Sequence, residues 1–277
     1  MVKSDILEKR LSRFQKLLEE NGIDGAMIRT LSSFEYFAGV KWLRPALFVP
    51  VRGRPVAFIH SCEREEFLEK SWIEEVRTYR RVEELVRHVI TTMKEFNCKV
   101  VGLDYSIERD SYALFYELFK KFNPKIEVKD IHSLIMELRI VKEGWEIERI
   151  RRAGEIAESA MKAILDNIDE GVSELELAAE AIYVMMKKGS ENPHIYVNAG
   201  PKPRIHAEPR RDVKIARGDT IMVTIGADFE NYYANLSRTI FFGTPSTGQQ
   251  RVFEVVKAMY DRAIREVKPK VKLMNIE

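Results

Sequence analysis

The chain has 277 residues, 45% hydrophobic and 32% charged, and its 45 Lys+Arg nearly balance 43 Asp+Glu, leaving a formal charge of +2. This composition excludes intrinsic disorder, and the neutral balance gives no electrostatic basis for nucleic acid or an anionic membrane as the main partner. Cys62 and Cys98 are the only cysteines, which excludes a disulfide framework and a cysteine-built zinc site and suits a reducing compartment. No apolar run reaches the roughly 18 residues that span a bilayer, and the charged start MVKSDILEKRL is unlike a signal peptide. A soluble, cytoplasmic chain of two domains is expected, and the charged fraction suits a heat-adapted source.

In chain order, Ser4 to Glu20 place Ile6, Leu7, Leu11, Phe14, Leu17 and Leu18 on one helical stripe that Asn21-Gly22 stops. Gly25 to Ile28, Ala46 to Val51 and Pro55 to Ile59 read as strands, the last two forming a hairpin around Gly53. Helical patterns at Val82 to Phe96 and Tyr112 to Phe122 alternate with apolar runs at Lys99 to Leu103 and Ile126 to Val128. That alternation predicts an α/β domain over residues 1–133.

A second domain is expected over 134–277. Ile147, Ile150, Gly154, Ala157, Met161 and Ile164 recur at steps of three and four, predicting a long amphipathic helix from Glu146 to Leu165. Glu170-Gly171 breaks the pattern, and Ser173 with Glu176 three residues on signals a capping box for a second helix to about Lys188. Thr220 to Phe229 and Tyr232 to Phe242 read as an antiparallel strand pair around the polar turn Glu230-Asn231, followed by a helix from Thr247 to Val267.

Several blocks carry a resemblance. ELRIVKEGWEIERIRRAGEIAESAM (Glu137 to Met161), EGVSELELAAEAIYVMMKKG, ARGDTIMVTIGADFENYYANLSRTIFFGTPS and QQRVFEVVKAMYDRAI, in that order, resemble the pita-bread metallopeptidases: Xaa-Pro dipeptidases, aminopeptidase P and the creatinases. The resemblance implies a creatinase-like N-terminal α/β domain followed by an α+β pita-bread domain, incomplete at the C-terminus. Active members hold two divalent metals, Mn, Co or Zn, whose paired cations need carboxylate ligands. Carried over residue by residue, the family's first metal-binding aspartate falls on Thr224 and its second on Asn235. The later histidine and two glutamates would lie beyond Glu277. No metal ligand and no cofactor is therefore expected for this chain.

Asp228 shares strand parity with Thr224 but lies four residues away, about 13 Å along a strand, and is expected to be a solvated strand-end residue. His206, in RIHAEP, resembles the family histidine that contacts substrate or intermediate; the resemblance implies a catalytic and substrate-binding role for it, with Thr224 and Asn235 as substrate contacts. The usual Pro-His-Gly has become Ile-His-Ala, which changes the loop. Around it, residues 202 to 217 hold six basic residues (Lys202, Arg204, Arg210, Arg211, Lys214, Arg217) against Glu208 and Asp212, either a solvated loop or a site for an anion or acidic peptide. His60, His88, His132 and His194 show no metal-binding spacing, and His60, Cys62 and Glu63 are explained by a strand-end turn. No phosphate-binding or nucleophile-elbow motif is present.

Two functional readings stay open. The chain is either a family homologue without its dimetal ligands, binding a peptide or protein surface as in a histone chaperone that uses a pita-bread domain, or an active Xaa-Pro metallopeptidase, if the sequence is a piece of a longer chain or the site is rebuilt. A homodimer with no nucleic-acid or membrane partner is expected in either case.

Overall fold

The computed structural model describes residues 4–106, 111–272, 274 and 276; the expected break at Glu277 lies outside them. The chain divides into two compact units, Met1–Glu143 and Gly144–Glu277.

The first unit runs α1 (Ser4–Glu20), β1 (Gly25–Ile28), α2 (Leu31–Ala38), β2 (Leu47–Pro50), β3 (Val56–His60), α3 (Arg64–Lys70), β4 (Glu75–Tyr79), α4 (Val82–Glu95), β5 (Val100–Leu103), α5 (Ser111–Phe122), β6 (Glu127–Asp130) and α6 (His132–Ile140). Its six strands are ordered β4-β3-β2-β1-β5-β6. β2 is antiparallel to both neighbours, and the other pairings are parallel. The central strands are apolar throughout because both faces are covered. Ala26, Ile28, Leu47, Val49, Ala57 and Ile59 face one core with Phe14, Phe34 and Ile135. Met27, Phe48, Val56 and Phe58 face the other with Val89, Met93 and Phe119.

The expected β2–β3 hairpin and the helices α1, α4 and α5 form. The short elements α2, α3 and β4 were not predicted. α2 is only eight residues long and ends on Gly39 in the left-handed region at φ 73°, where a Cβ would also meet Leu7. β4 is an edge strand with one buried residue, so its sequence shows little alternation. The units divide ten residues later than the 133/134 boundary expected from sequence. Ile131, Ile135 and Leu138 explain the difference, since they bury α6 in the first unit's core.

The second unit holds α7 (Gly144–Asn167), α8 (Glu174–Lys187), β7 (His194–Gly200), β8 (Thr220–Phe229), β9 (Tyr232–Phe241) and α9 (Thr247–Glu266). The capping box at Ser173 and Glu176 opens α8 as the sequence predicts. β8 and β9 pair antiparallel through the whole of both strands, and β7 joins on the other side of β8. Ile221, Val223, Ile225 and Ala227 of β8, with Ile195 and Val197 of β7, pack on Ile156, Ala160, Leu177 and Ala181 of α7 and α8. Side chains alternate along a strand, so the even-numbered residues of β7 and β8 face away from these helices. Among the described residues, no helix is long and apolar enough to cross a membrane.

Candidate functional site on the open sheet face

Register across the three strands places the open-face residues in rows. One row is His194, Gly226 and Asn235; the next is Tyr196, Thr224 and Ser237; a third is Asn198, Met222 and Thr239. Thr224 and Asn235 therefore share a face as diagonal neighbours, with the Ser237 hydroxyl donating to Thr224 Oγ1 at 3.0 Å. A Cβ on Gly226 would lie 2.1 Å from His194 Cε1, so the imidazole rests directly on the glycine. Ring centroids link His206 to Tyr196 at 5.7 Å, Tyr196 to His194 at 6.3 Å and His194 to Tyr233 at 6.3 Å. A row of four rings thus runs over the face beside Thr224 and Asn235, a surface suited to apolar or ring-bearing ligands.

His206 lies in the loop between β7 and β8, exposed, with φ +48°. The loop is tied down by two buried side chains. Asn198 bonds both backbone polar groups of the adjacent Ala207. Glu174, fully buried, accepts from Ala199 N at 2.7 Å and Arg210 N at 2.9 Å and pairs with the Arg204 guanidinium. A buried carboxylate tolerates that position because its oxygens are met by charged and amide donors. The basic loop is largely neutralised: Arg210 pairs with Asp212, Lys214 with Glu176 at 3.2 Å and Arg217 with Glu170 at 3.7 Å. Hydrogen bonds from Ser173 and then Lys214 hold the Glu176 carboxyl down at about 2, and the Arg210 hydrogen bond lowers that of Asp212. This leaves little support for an anion site in the loop.

Asp228 corrects an expectation. It is fully buried, not solvated. Its Oδ1 accepts from Ser190 Oγ, from Glu191 N at 3.1 Å and from Asn192 N at 2.9 Å, fixing the turn between α8 and β7. These bonds hold the carboxylate at that turn, four residues along β8 from Thr224.

Sequence reasoning set His194 aside and missed Tyr196, Asn198 and Glu174. The signal was present in HIYVNAG, where Ile195, Val197 and Ala199 alternate with polar or aromatic residues. A pair of divalent metals does not fit the donors on the open face: hydroxyls at 224 and 237, an amide at 235 and the imidazole of His194. Side-by-side dications need anionic oxygens, and among the described residues no three His, Cys, Asp or Glu side chains converge.

A two-unit chain, with an α/β domain ahead of helices stacked on an antiparallel sheet, defines the class, and comparison with known proteins identifies it. Residues 10–141 match the creatinase/prolidase N-terminal domain and residues 148–277 match metallopeptidase family M24. The chain belongs to family M24, the pita-bread peptidases. It is 29% identical over 265 residues to an Xaa-Pro dipeptidase of Pyrococcus furiosus, covering 95% of this chain and 73% of that protein. It is 26% identical over 275 residues to an Xaa-Pro dipeptidase of Pyrococcus horikoshii, covering 99% and 75%. The crystal structure of the prolidase from Pyrococcus horikoshii OT3 superposes with a TM-score of 0.85 at 25% identity, covering 97% of this chain and 75% of that one. The chain thus spans about three quarters of these relatives' length.

Proposed function

We propose that this M24 homologue is a non-catalytic binder of short peptides or of an extended segment on a protein surface, held on the open face of the β7–β9 sheet. The observation that carries the reading is the pairing of Thr224 and Asn235 as diagonal neighbours on that face, neutral at the two positions where the family resemblance implies metal-binding aspartates. Beside them the rings of His194, Tyr196, His206 and Tyr233 offer stacking surfaces, and Asn235 and Ser237 offer neutral hydrogen bonds. His206 and Thr224 would touch ligand, and Asn198 and Glu174 would hold the loop. Cytoplasmic residence and a homodimer belong to the same reading.

The alternative, Xaa-Pro peptide hydrolysis, draws on the names of the relatives and requires metal ligands other than these two side chains. Both are tested by incubating the protein with an Xaa-Pro dipeptide after dialysis against Mn²⁺, while following metal content by elemental analysis and the His194 and Tyr196 ring signals by NMR. Ring shifts with no cleavage and no stoichiometric metal are expected. Cleavage with about two metals per chain would overturn the proposal in favour of the peptidase.

A further inference from the structure

The first unit contains a cleft unrelated to the sheet face above. After β4 the chain passes over three strands before it returns as β5 beside β1, and open α/β sheets place ligand crevices where strand order reverses in this way. α4 and α5 cover the same face of the sheet, since Val89 and Met93 of α4 share one core with Tyr116 and Phe119 of α5. Between them lies a cavity of about 390 Å³, walled by Leu85, Val86 and Val89 on one side and Phe115, Leu118 and Phe119 on the other. At about 30 Å³ for a water-sized group, it holds roughly a dozen non-hydrogen atoms.

The sheet end of this cleft is polar without being an anion site. Arg44 pairs with Glu63, whose carboxylate also accepts from Trp42 Nε1 at 3.1 Å. Arg29 lies over the Phe115 ring at 4.8 Å and has further partners, and Arg80 is exposed to water. His60 Nδ1 meets Cys62 Sγ at 2.8 Å, and its ring stands edge-on to Tyr79 with centroids 5.6 Å apart. Tyr79 differs from these neighbours. It is only 8% exposed and lines the cavity, yet among the described residues no hydrogen bond reaches its hydroxyl. Nor is that hydroxyl sealed off from every probe, so it is presented to whatever occupies the cleft. Burial raises its pKa, opposed by Arg29 and Arg44 and assisted by Glu63, which leaves an uncharged O–H donor at neutral pH.

We propose that this cleft binds a neutral, ring-bearing small molecule of about a dozen non-hydrogen atoms, its rings lying between α4 and α5 and one acceptor atom taking the hydrogen bond of the Tyr79 hydroxyl. Apolar enclosure supplies the attraction, and a single polar group fixes the orientation. Flat rings suit the wall, where Phe115 and Phe119 stand with centroids 6.0 Å apart and Phe115 already carries the Arg29 guanidinium on its face. An ionised ligand would give up its hydration to apolar walls. An anion would also meet the charge of Glu63, and a cation that of Arg44, whereas a neutral ligand leaves their pairing intact.

The test titrates the full chain at neutral pH with naphthol, followed by the probe's own fluorescence, with naphthalene as the same rings without the polar group and naphthoate as the same rings with a charge. Naphthol is expected to bind saturably, at least about threefold more tightly than naphthalene, the worth of one hydrogen bond, and at least about tenfold more tightly than naphthoate. Tyr79→Phe should abolish the margin of naphthol over naphthalene while leaving naphthalene affinity and the melting temperature unchanged, because the lost hydroxyl has no protein partner. Val86→Trp, at a half-buried position on α4, should fill the cleft and weaken both neutral probes at least about tenfold. Naphthoate binding as tightly as naphthol, a margin that survives Tyr79→Phe, or no saturable binding of naphthol would overturn the proposal. So would affinities unchanged by Val86→Trp, which would put the probes on another surface such as the ring row of the β7–β9 sheet.

Discussion

Asn198 grips Ala207 at both backbone polar groups, its Nδ2 donating to the carbonyl at 2.9 Å and its Oδ1 accepting from the amide at 3.2 Å. Asn198 is buried on β7, whereas Ala207 lies in the loop beside the exposed His206. A rigid strand thereby sets the position of a loop histidine through one amide. Asn198→Ala removes both bonds and is expected to cost about 1–3 kcal/mol, the usual range for buried hydrogen bonds left unmade. The same variant should release His206 from Tyr196 and shift its ring signals in NMR. Lost stability with unchanged His206 signals would assign the loop's position to Glu174 alone.

Acid should act on α8 through its cap. Glu176 is held at about 2 by hydrogen bonds from the Ser173 side chain and backbone and by Lys214. A carboxyl lowered on folding contributes stability above its unfolded value, near 4.3, and loses that contribution as pH falls toward the folded value. Denaturation curves from pH 6 down to about 2 should therefore show a component that Glu176→Gln removes. Because Glu176 is exposed, salt should reduce the part carried by Lys214. Identical pH slopes in wild type and variant would show that the cap makes no net contribution.

Much of this architecture could be read from the sequence, for identifiable reasons. α1, α7 and α8 declare themselves through long amphipathic stripes and the Ser173 box, and the β8–β9 pair through ten-residue runs around a polar turn. β7 escaped notice because it follows a short linker and carries Tyr196 and the buried Asn198 on the face away from the helices, which breaks the look of an apolar strand. The partners of the basic loop were equally hidden: Glu174 and Arg204 are 30 residues apart, and only the fold brings them together. Asp228 misled because a charge beside a turn is usually solvated, whereas here the turn's own amides enclose it.

The two cysteines should differ in reactivity. Burial pushes the Cys98 thiol up to about 11, with Asp24 adding to the effect, and leaves little thiolate at neutral pH. Cys62 is exposed and lies 2.8 Å from His60 Nδ1. Iodoacetamide at pH 7.5 is expected to label Cys62 at least about tenfold faster than Cys98, read by peptide mass mapping. Equal rates would mean that the strand β5 opens readily enough to expose its neighbour Cys98.

The diagonal arrangement of Thr224 and Asn235 makes a direct test of the site possible. Thr224→Asp together with Asn235→Asp sets two carboxylates on one face, separated by the width of a diagonal cross-strand pair, about 7–8 Å between Cα atoms. Asn235 is exposed and Thr224 half-buried, so their repulsion should cost up to about 1 kcal/mol. The Ser237 hydroxyl, which now donates to Thr224, can still donate to the new carboxylate and offsets part of the loss. Millimolar Mn²⁺ should raise the melting temperature of the double variant by binding only the folded state, while the wild type should not respond. Hydrolysis of an Xaa-Pro dipeptide should remain absent, because two carboxylates are fewer ligands than a pair of divalent ions needs. The comparison is four melting curves, wild type and double variant with and without Mn²⁺, alongside the peptide assay. If the double variant melts like the wild type and ignores Mn²⁺, the two side chains do not converge on a common ligand, and the assignment of Thr224 and Asn235 to the family's metal positions fails.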